Sequence, residues 1–341
     1  MDHLNPEPAS APETPSPQLL KKKLIKSLIM VYALTILLGL VFLLKKRPSN
    51  PDFNIGKQAE SFLALSKEDK IGVVAIHGPI SLSDDGRPWD NSGAEGWEKR
   101  IIKLANTRGV KAIILDINSP GGSVGAVQEL YSEILRIRRT KHIPFVASFG
   151  DVAASGGYYI ASACDKIVAH PGTLTGSIGV IFDATDLQGL FHKIGVKMSP
   201  IKSGKFKDIG SPARAMTPEE KRLLQRIIDD TYEQFLSAVS LGRDIPKEKL
   251  RPIADGRIFS GNQALKDHLV DQLGDFHDAV ALAAKLGGIS GKPKIIRGHG
   301  NLDELLNMLN SKFLGGPLSS ASLIGQISMP RAGLEYLWTG Y

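Results

Sequence analysis

From Ile71 onward the chain alternates short apolar runs with longer stretches of helical spacing, and few folds accept that alternation. Ile71–Ile76, Lys111–Ile117 and Pro144–Phe149 each read as a buried strand, and residues 94–106 and 124–138 between them read as helices. Shorter strands are predicted at Lys166–Ala169 and Ile178–Phe182, with a helix over Tyr158–Cys164. Parallel neighbours in a sheet need a crossover, and a helix is the usual one, so the pattern predicts an α/β domain built on a parallel sheet with packed helices. Thr217-Pro218-Glu219-Glu220 then opens a long helix reaching about Leu241. Threonine at the N-cap, proline at the first helical position and glutamate at the third make a complete capping box. No internal repeat is present in the 341 residues, so the unit occurs once.

The ends have a different composition. Residues 1–20 hold five prolines and cannot bury a core, which predicts a disordered tail extending through the basic flank to residue 26. Lys21-Lys22-Lys23 precede, and Lys45-Lys46-Arg47 follow, an uncharged run from Ser27 to Leu44. Eighteen helical residues span about 27 Å, close to the hydrocarbon thickness of a bilayer of about 30 Å, so 27–44 is expected to be a transmembrane anchor. Its apolar core runs straight into lysines with no small-residue cleavage site, which favours an anchor that is not removed. Four lysines before the span and three basic residues after it only slightly favour an inside N-terminus. That orientation would put the catalytic domain outside the cytoplasm, on the cytoplasmic or inner membrane. A linker is read over 45–69, the main domain over 70–290 and an apolar tail over 291–341. Within the tail, Leu302, Leu305, Leu306, Leu309 and Phe313 form a helical stripe.

Charge excludes one function class. The formal net charge is +7, but seven basic and three acidic groups lie in residues 1–47, leaving a nearly balanced remainder. With no basic, aromatic-interleaved stretch beyond that point, nucleic-acid binding is not expected. The single cysteine, Cys164, sits in an apolar helix and reads as a buried structural thiol. No cluster with zinc-ligand spacing appears, and neither a metal nor another cofactor is implied.

Two glycine-rich turns carry the chemistry. Ser155, in Ala154-Ser155-Gly156-Gly157, follows a strand and precedes a helix, where a hydroxyl stands beside the free N–H groups of a helix start. A serine in that position can instead simply cap the helix. Asn118-Ser119-Pro120-Gly121-Gly122-Ser123 also joins a strand to a helix. Glycines there let backbone amides approach a reacting carbonyl, so Gly121 or Gly122 together with Gly156 is a candidate oxyanion hole. The turn lacks the lysine and glycine spacing of a phosphate-binding loop. A base for Ser155 is available on the segment bearing Lys202, Lys205 and Lys207, and spacing does not choose among the three.

At this point the chain resembles the bacterial signal peptide peptidase A family of membrane-bound serine proteases. The resemblance covers roughly residues 70–290. It rests on Asn118–Gly122, Ala154–Tyr159, Thr173–Val180, Lys207–Pro212 and Ala254–Arg257, in that order. It implies a Clp/crotonase-like fold with Ser155 as nucleophile, Lys207 as general base and Ser177 as the hydroxyl that orients the lysine. It further implies cleaved signal peptides and other small hydrophobic peptides as substrates, and ring-like homo-oligomers in which the C-terminal tail would pack on a neighbouring subunit. Three other readings compete. A Ser-His-Asp protease of the Clp type would need a histidine such as His170 beside Ser155. A crotonase-like acyl-CoA hydratase or isomerase would use the same two-amide site with carboxylates, and a scaffold protein would use none of it.

Overall fold

The computed structural model describes Lys26 and residues 30–38, 68–82, 93–297 and 334–339. Residues 30–38 are helical and exposed, including Met30, Tyr32, Ile36 and Leu38. Among the described residues no helix is long and apolar enough to cross a membrane. The rest of the expected span, the proline-rich tail and most of the linker lie outside the described residues, as does the Leu302–Phe313 stripe.

The main domain begins with β1 (Lys70–His77), α1 (Ala94–Ala105), β2 (Val110–Ser119), β3 (Gly121–Ser123) and α2 (Val124–Lys141). Next come β4 (Phe145–Ala154), α3 (Gly156–Ala161), β5 (Lys166–Ala169), β6 (Leu174–Gly176) and α4 (Gln188–Lys193). The long α5 (Pro218–Arg243) is followed by α6 (Lys247–Leu250), β7 (Ile258–Ser260), α7 (Gly261–Lys266), β8 (Gln272–Leu273), α8 (Phe276–Leu286) and β9 (Lys294–Arg297). A last strand, β10 (Glu335–Leu337), lies near the C-terminus.

The main sheet runs in the order β7-β6-β4-β2-β1-β9, with β5 on β4 and β8 on β5. Every pairing in it is parallel except β6 with β7. The α/β class and parallel sheet read from the sequence are therefore observed. Alternation along each strand separates two cores. Ile71, Val73, Ala112, Ile114, Val146 and Val168 face Ala279 and Ala283 of α8. Val74, Ile76, Ile113, Leu115, Ile117, Phe145 and Ala147 face the opposite side, with α1, α2, α3 and α5 packed over them.

Strand β4 forks, and the fork positions the site. Its first half, Val146–Phe149, pairs with β5, while its second half, Val152–Ala154, pairs with β6. The register between β2 and β4 slips between Ile117 and Ser119, and Asn118 Oδ1 accepts the Val152 N–H there (3.1 Å). The sequence reading ended this strand at Phe149; the fork carries it five residues further, to the residue before Ser155.

The long helix matches its reading closely. Thr217 caps α5, its hydroxyl accepting the Glu220 N–H (3.2 Å), while the Glu220 carboxylate accepts the Thr217 N–H (2.8 Å). The strand expected at Ile178–Phe182 does not form as such; β6 lies at Leu174–Gly176, Ile181 makes an isolated bridge to Glu335, and the Ile178 carbonyl accepts the Gly256 N–H (3.1 Å). Gly176 (φ 79°) and Ser177 (φ 50°) are consecutive left-handed residues, and they turn the chain out of the sheet before the apolar run begins.

Candidate active site

Ser155 is held by its backbone rather than by its side chain. It occupies the N-cap of α3 at φ 53° and ψ −116°, and its hydroxyl makes no capping bond. The bland reading of this serine as a helix cap is thereby removed. Its N–H donates to the Gly176 carbonyl (2.8 Å), its own carbonyl accepts the Tyr159 N–H (2.9 Å), and the residue is 1 % exposed. A non-glycine residue in such a conformation costs about 1–3 kcal/mol and persists only where its surroundings enforce it. Here the end of a buried strand and the start of a buried helix do so.

The second turn closes onto the first. Gly121 has φ 101°, and a Cβ on it would stand 2.0 Å from the Tyr336 carbonyl oxygen and 2.6 Å from the Gly156 nitrogen. A Cβ on Gly156 would in turn meet Gly122 N at 3.1 Å. The three glycines thus bring the two turns into backbone contact, which no side chain at these positions would permit. The Gly121 N–H donates to Ser119 Oγ (3.1 Å), committing one of the two candidate amides. The Gly122 N–H is taken up by Tyr336 in the β10–β3 pairing, so in this structure neither glycine amide of this turn is free while β10 is seated.

Ser177 follows Gly176, whose carbonyl holds the Ser155 N–H, and its own N–H donates to the Arg257 carbonyl (2.8 Å). It is 8 % exposed. Lys207 lies elsewhere, on the exposed segment between α4 and α5. Among the described residues no hydrogen bond joins it to Ser155 or Ser177. The structure nevertheless separates the three lysines. Lys202 pairs with Asp208 (2.6 Å) and Lys205 pairs with Glu219, whereas Lys207 Nζ makes no ion pair among the described residues.

A groove runs beside the two turns, and the chain's own C-terminal strand lies in it. Strand β10 pairs antiparallel with β3, with Tyr336 opposite Gly122, and the Trp338 N–H donates to the Pro120 carbonyl (2.9 Å). On its other edge Glu335 exchanges two backbone hydrogen bonds with Ile181 (3.1 Å each). The Tyr336 side chain is fully buried, stacked on Tyr159 (centroids 5.0 Å apart) and edge-on to Phe235 (4.9 Å), with its hydroxyl donating to the Thr231 carbonyl (3.2 Å). Next to it a cavity of about 460 Å³ is lined by Ser177, Val180, Ile228, Tyr232, Leu337 and Trp338, among others. The C-terminal tail was expected against a neighbouring subunit; its described part packs on its own chain.

Residues 137–290, which contain Ser155, Ser177 and Lys207, match the profile of Peptidase family S49. A provisionally named protease of Synechocystis sp. is 47 % identical over 199 residues, 58 % of this chain and 71 % of that protein. The chain belongs to peptidase family S49. It is a serine endopeptidase by that membership. A provisionally named signal peptide peptidase SppA of Enterococcus faecium is 40 % identical over 213 residues, 62 % of each chain. The chloroplastic serine protease SPPA of Arabidopsis thaliana is 32 % identical over 269 residues, covering 76 % of this chain but 39 % of the plant protein.

Other titratable groups of this S49 peptidase are placed away from the chemistry or kept inert. His170 is exposed, its carbonyl accepts the Thr173 N–H (3.1 Å), and among the described residues no hydrogen bond links it to Ser155. Cys164 is buried, and burial raises its thiol above the ordinary range, in keeping with a structural role. Burial likewise pushes the Tyr159 phenol up to about 12, so it stays neutral within the aromatic cluster. Sequence reasoning passed over Ser119, although its own motif contained it, because a hydroxyl that accepts a neighbour's amide has no pattern of its own. Tyr336 was missed because a three-residue strand in an aperiodic tail carries no signal.

Proposed function

We propose that this peptidase is anchored in the membrane by residues 27–44 and cleaves signal peptides and other small hydrophobic peptides with a Ser155/Lys207 dyad. The neutral Lys207 amine takes the Ser155 proton as Oγ adds to the scissile carbonyl. The negative charge formed on the carbonyl oxygen rests on the Gly156 amide and, once β10 is unseated, the Gly122 amide, each such donor contributing about 3–4 kcal/mol to the transition state. Collapse returns the proton from Lys207 to the departing amine and leaves an acyl-enzyme. Lys207 then accepts a proton from the water that attacks the ester, and passes it to Ser155 Oγ as the acyl C–O bond breaks and the acid product leaves. Ser177 orients the lysine. No cofactor takes part in these steps.

The observation that carries the reading is the seat of Glu335–Leu337, an extended segment held by strand addition along Gly121–Ser123 with one side chain in an aromatic pocket. A peptide bound the same way would be recognised through its backbone, with apolar pockets choosing alternate side chains. That suits short hydrophobic peptides, and the Enterococcus relative's name supports the same substrate class. Further copies of the chain belong to this reading. Lys207 is exposed in the single chain, and a neighbouring copy packed on this segment would shield it from water.

The test is hydrolysis of a quenched fluorescent hydrophobic peptide by the full chain in detergent, comparing wild type with Ser155→Ala and Lys207→Ala. Loss in both variants, with oligomer mass and melting temperature retained, is the expected result. Full activity in Lys207→Ala would remove the lysine from the mechanism and bring back a histidine scheme.

A further inference from the structure

Lys207 sits on a segment with little packing of its own. The turns around it are local, Lys207 N–H to Gly204 O (3.2 Å), Ile209 N–H to Phe206 O (3.1 Å) and Ser211 N–H to Asp208 O (3.1 Å). Such bonds shape a loop without fixing where it stands on the protein. The next residue, Asp208, is different: besides Lys202 Nζ (2.6 Å), one guanidinium holds both oxygens of its carboxylate. Arg214 Nε donates to Oδ2 (2.9 Å) and Nη2 to Oδ1 (2.8 Å). The same guanidinium reaches the carboxylate of Glu220, with Nη1 to Oε2 at 2.9 Å and Nη2 to Oε1 at 2.5 Å. Two longer contacts, to the carbonyls of Asp208 (3.3 Å) and Ala215 (3.2 Å), share its remaining N–H groups.

Glu220 is the third residue of the α5 capping box, its side chain is 3 % exposed, and α5 is anchored in the core by Phe235, Leu236 and Val239. A continuous path therefore runs from the body of the domain through Glu220 and Arg214 to the backbone beside Lys207. We propose that Arg214 is a positioning residue for catalysis, holding the Lys207 backbone in register with α5 so that the amine meets Ser155. This rests on Lys207 being the base. Only a planar fork with several donors satisfies two carboxylates at once, so lysine at this position would not substitute.

The experiment measures kcat and KM of the full chain in detergent, with the fluorescent peptide, for Arg214→Gln, Arg214→Lys, Asp208→Asn and Lys207→Ala, alongside melting temperature and oligomer mass. Asp208→Asn cuts the link from the lysine's side without touching the cap of α5, so it keeps the test open if Arg214→Gln folds poorly. The expected result is a fall in kcat of about 100-fold for Arg214→Gln and Asp208→Asn, the usual size for a small misplacement of a catalytic group. KM should stay within about twofold, and Arg214→Lys should not rescue. Wild-type kcat in Asp208→Asn, or a loss shared equally by kcat and KM, would overturn the positioning role while an inactive Lys207→Ala still upheld the dyad. An active Lys207→Ala would overturn the dyad itself.

Discussion

The two halves of this site are built in opposite ways. Around Ser155 everything is backbone and core: Ser119, Ala154, Gly156, Gly157 and Tyr158 are buried, and the glycine turns touch with no room for a methyl group. Around Lys207 the chain is open, with Leu190 52 %, Ile194 62 % and Met198 58 % exposed, and it is held through charged side chains. The proposed nucleophile thus sits in the packing that stabilises the fold, while the segment of the proposed base is held by a few ion pairs. The first half should fail together with the protein and the second independently of it.

The sharpest way to break that contrast is Gly122→Ala. Its Cβ would lie 1.9 Å from the Ile80 carbonyl oxygen, a backbone atom that has no easy way to yield. Peptide hydrolysis should fall at least 100-fold, as for loss of one oxyanion donor, and the melting temperature should fall with it. Wild-type activity in this variant would dismiss the oxyanion assignment. Phe235→Ala should come next, costing about 3–5 kcal/mol in urea unfolding, because it empties the centre of the aromatic cluster.

On the exposed half the effects should be smaller and should follow pH. Arg214 and the Thr217 amide hold the Glu220 carboxyl down from its ordinary 4.5 to about 2. A depressed carboxylate stabilises the folded form above its unfolded pKa and ceases to do so as pH falls through the folded value. Wild type should therefore be more stable than Glu220→Gln from neutral pH to about pH 4.5, with the gap closing toward pH 2. A gap unchanged at pH 2, followed by thermal melts, would show that the carboxylate's charge is not what matters. Smallest of all, His170→Ala should leave activity within about twofold, as expected for a surface substitution; a loss of a thousandfold would reinstate the histidine.

The same contrast explains what could be read from the sequence. Strands β1, β2 and β5 announced themselves because branched apolar residues in short runs have few other uses. The capping box of α5 was legible because its four residues act on one another locally. The strand at Ile178–Phe182 was misread because apolarity signalled burial, whereas two left-handed residues just before it decided direction. Ser155 and the glycines were visible as motifs, but that Ser119 Oγ holds the Gly121 amide and β10 the Gly122 amide are contacts only coordinates reveal. Spacing left three lysines alike and only the resemblance chose Lys207; the structure adds that Lys202 and Lys205 have carboxylate partners.

The backbone angle at Ser155 sets catalysis against durability. A glycine would accept φ 53° without strain, so Ser155→Gly should fold at least as well as wild type and gain about 1 kcal/mol. A library selected for heat resistance alone would enrich chains that have discarded this proposed nucleophile, and only a screen coupled to turnover would retain the serine.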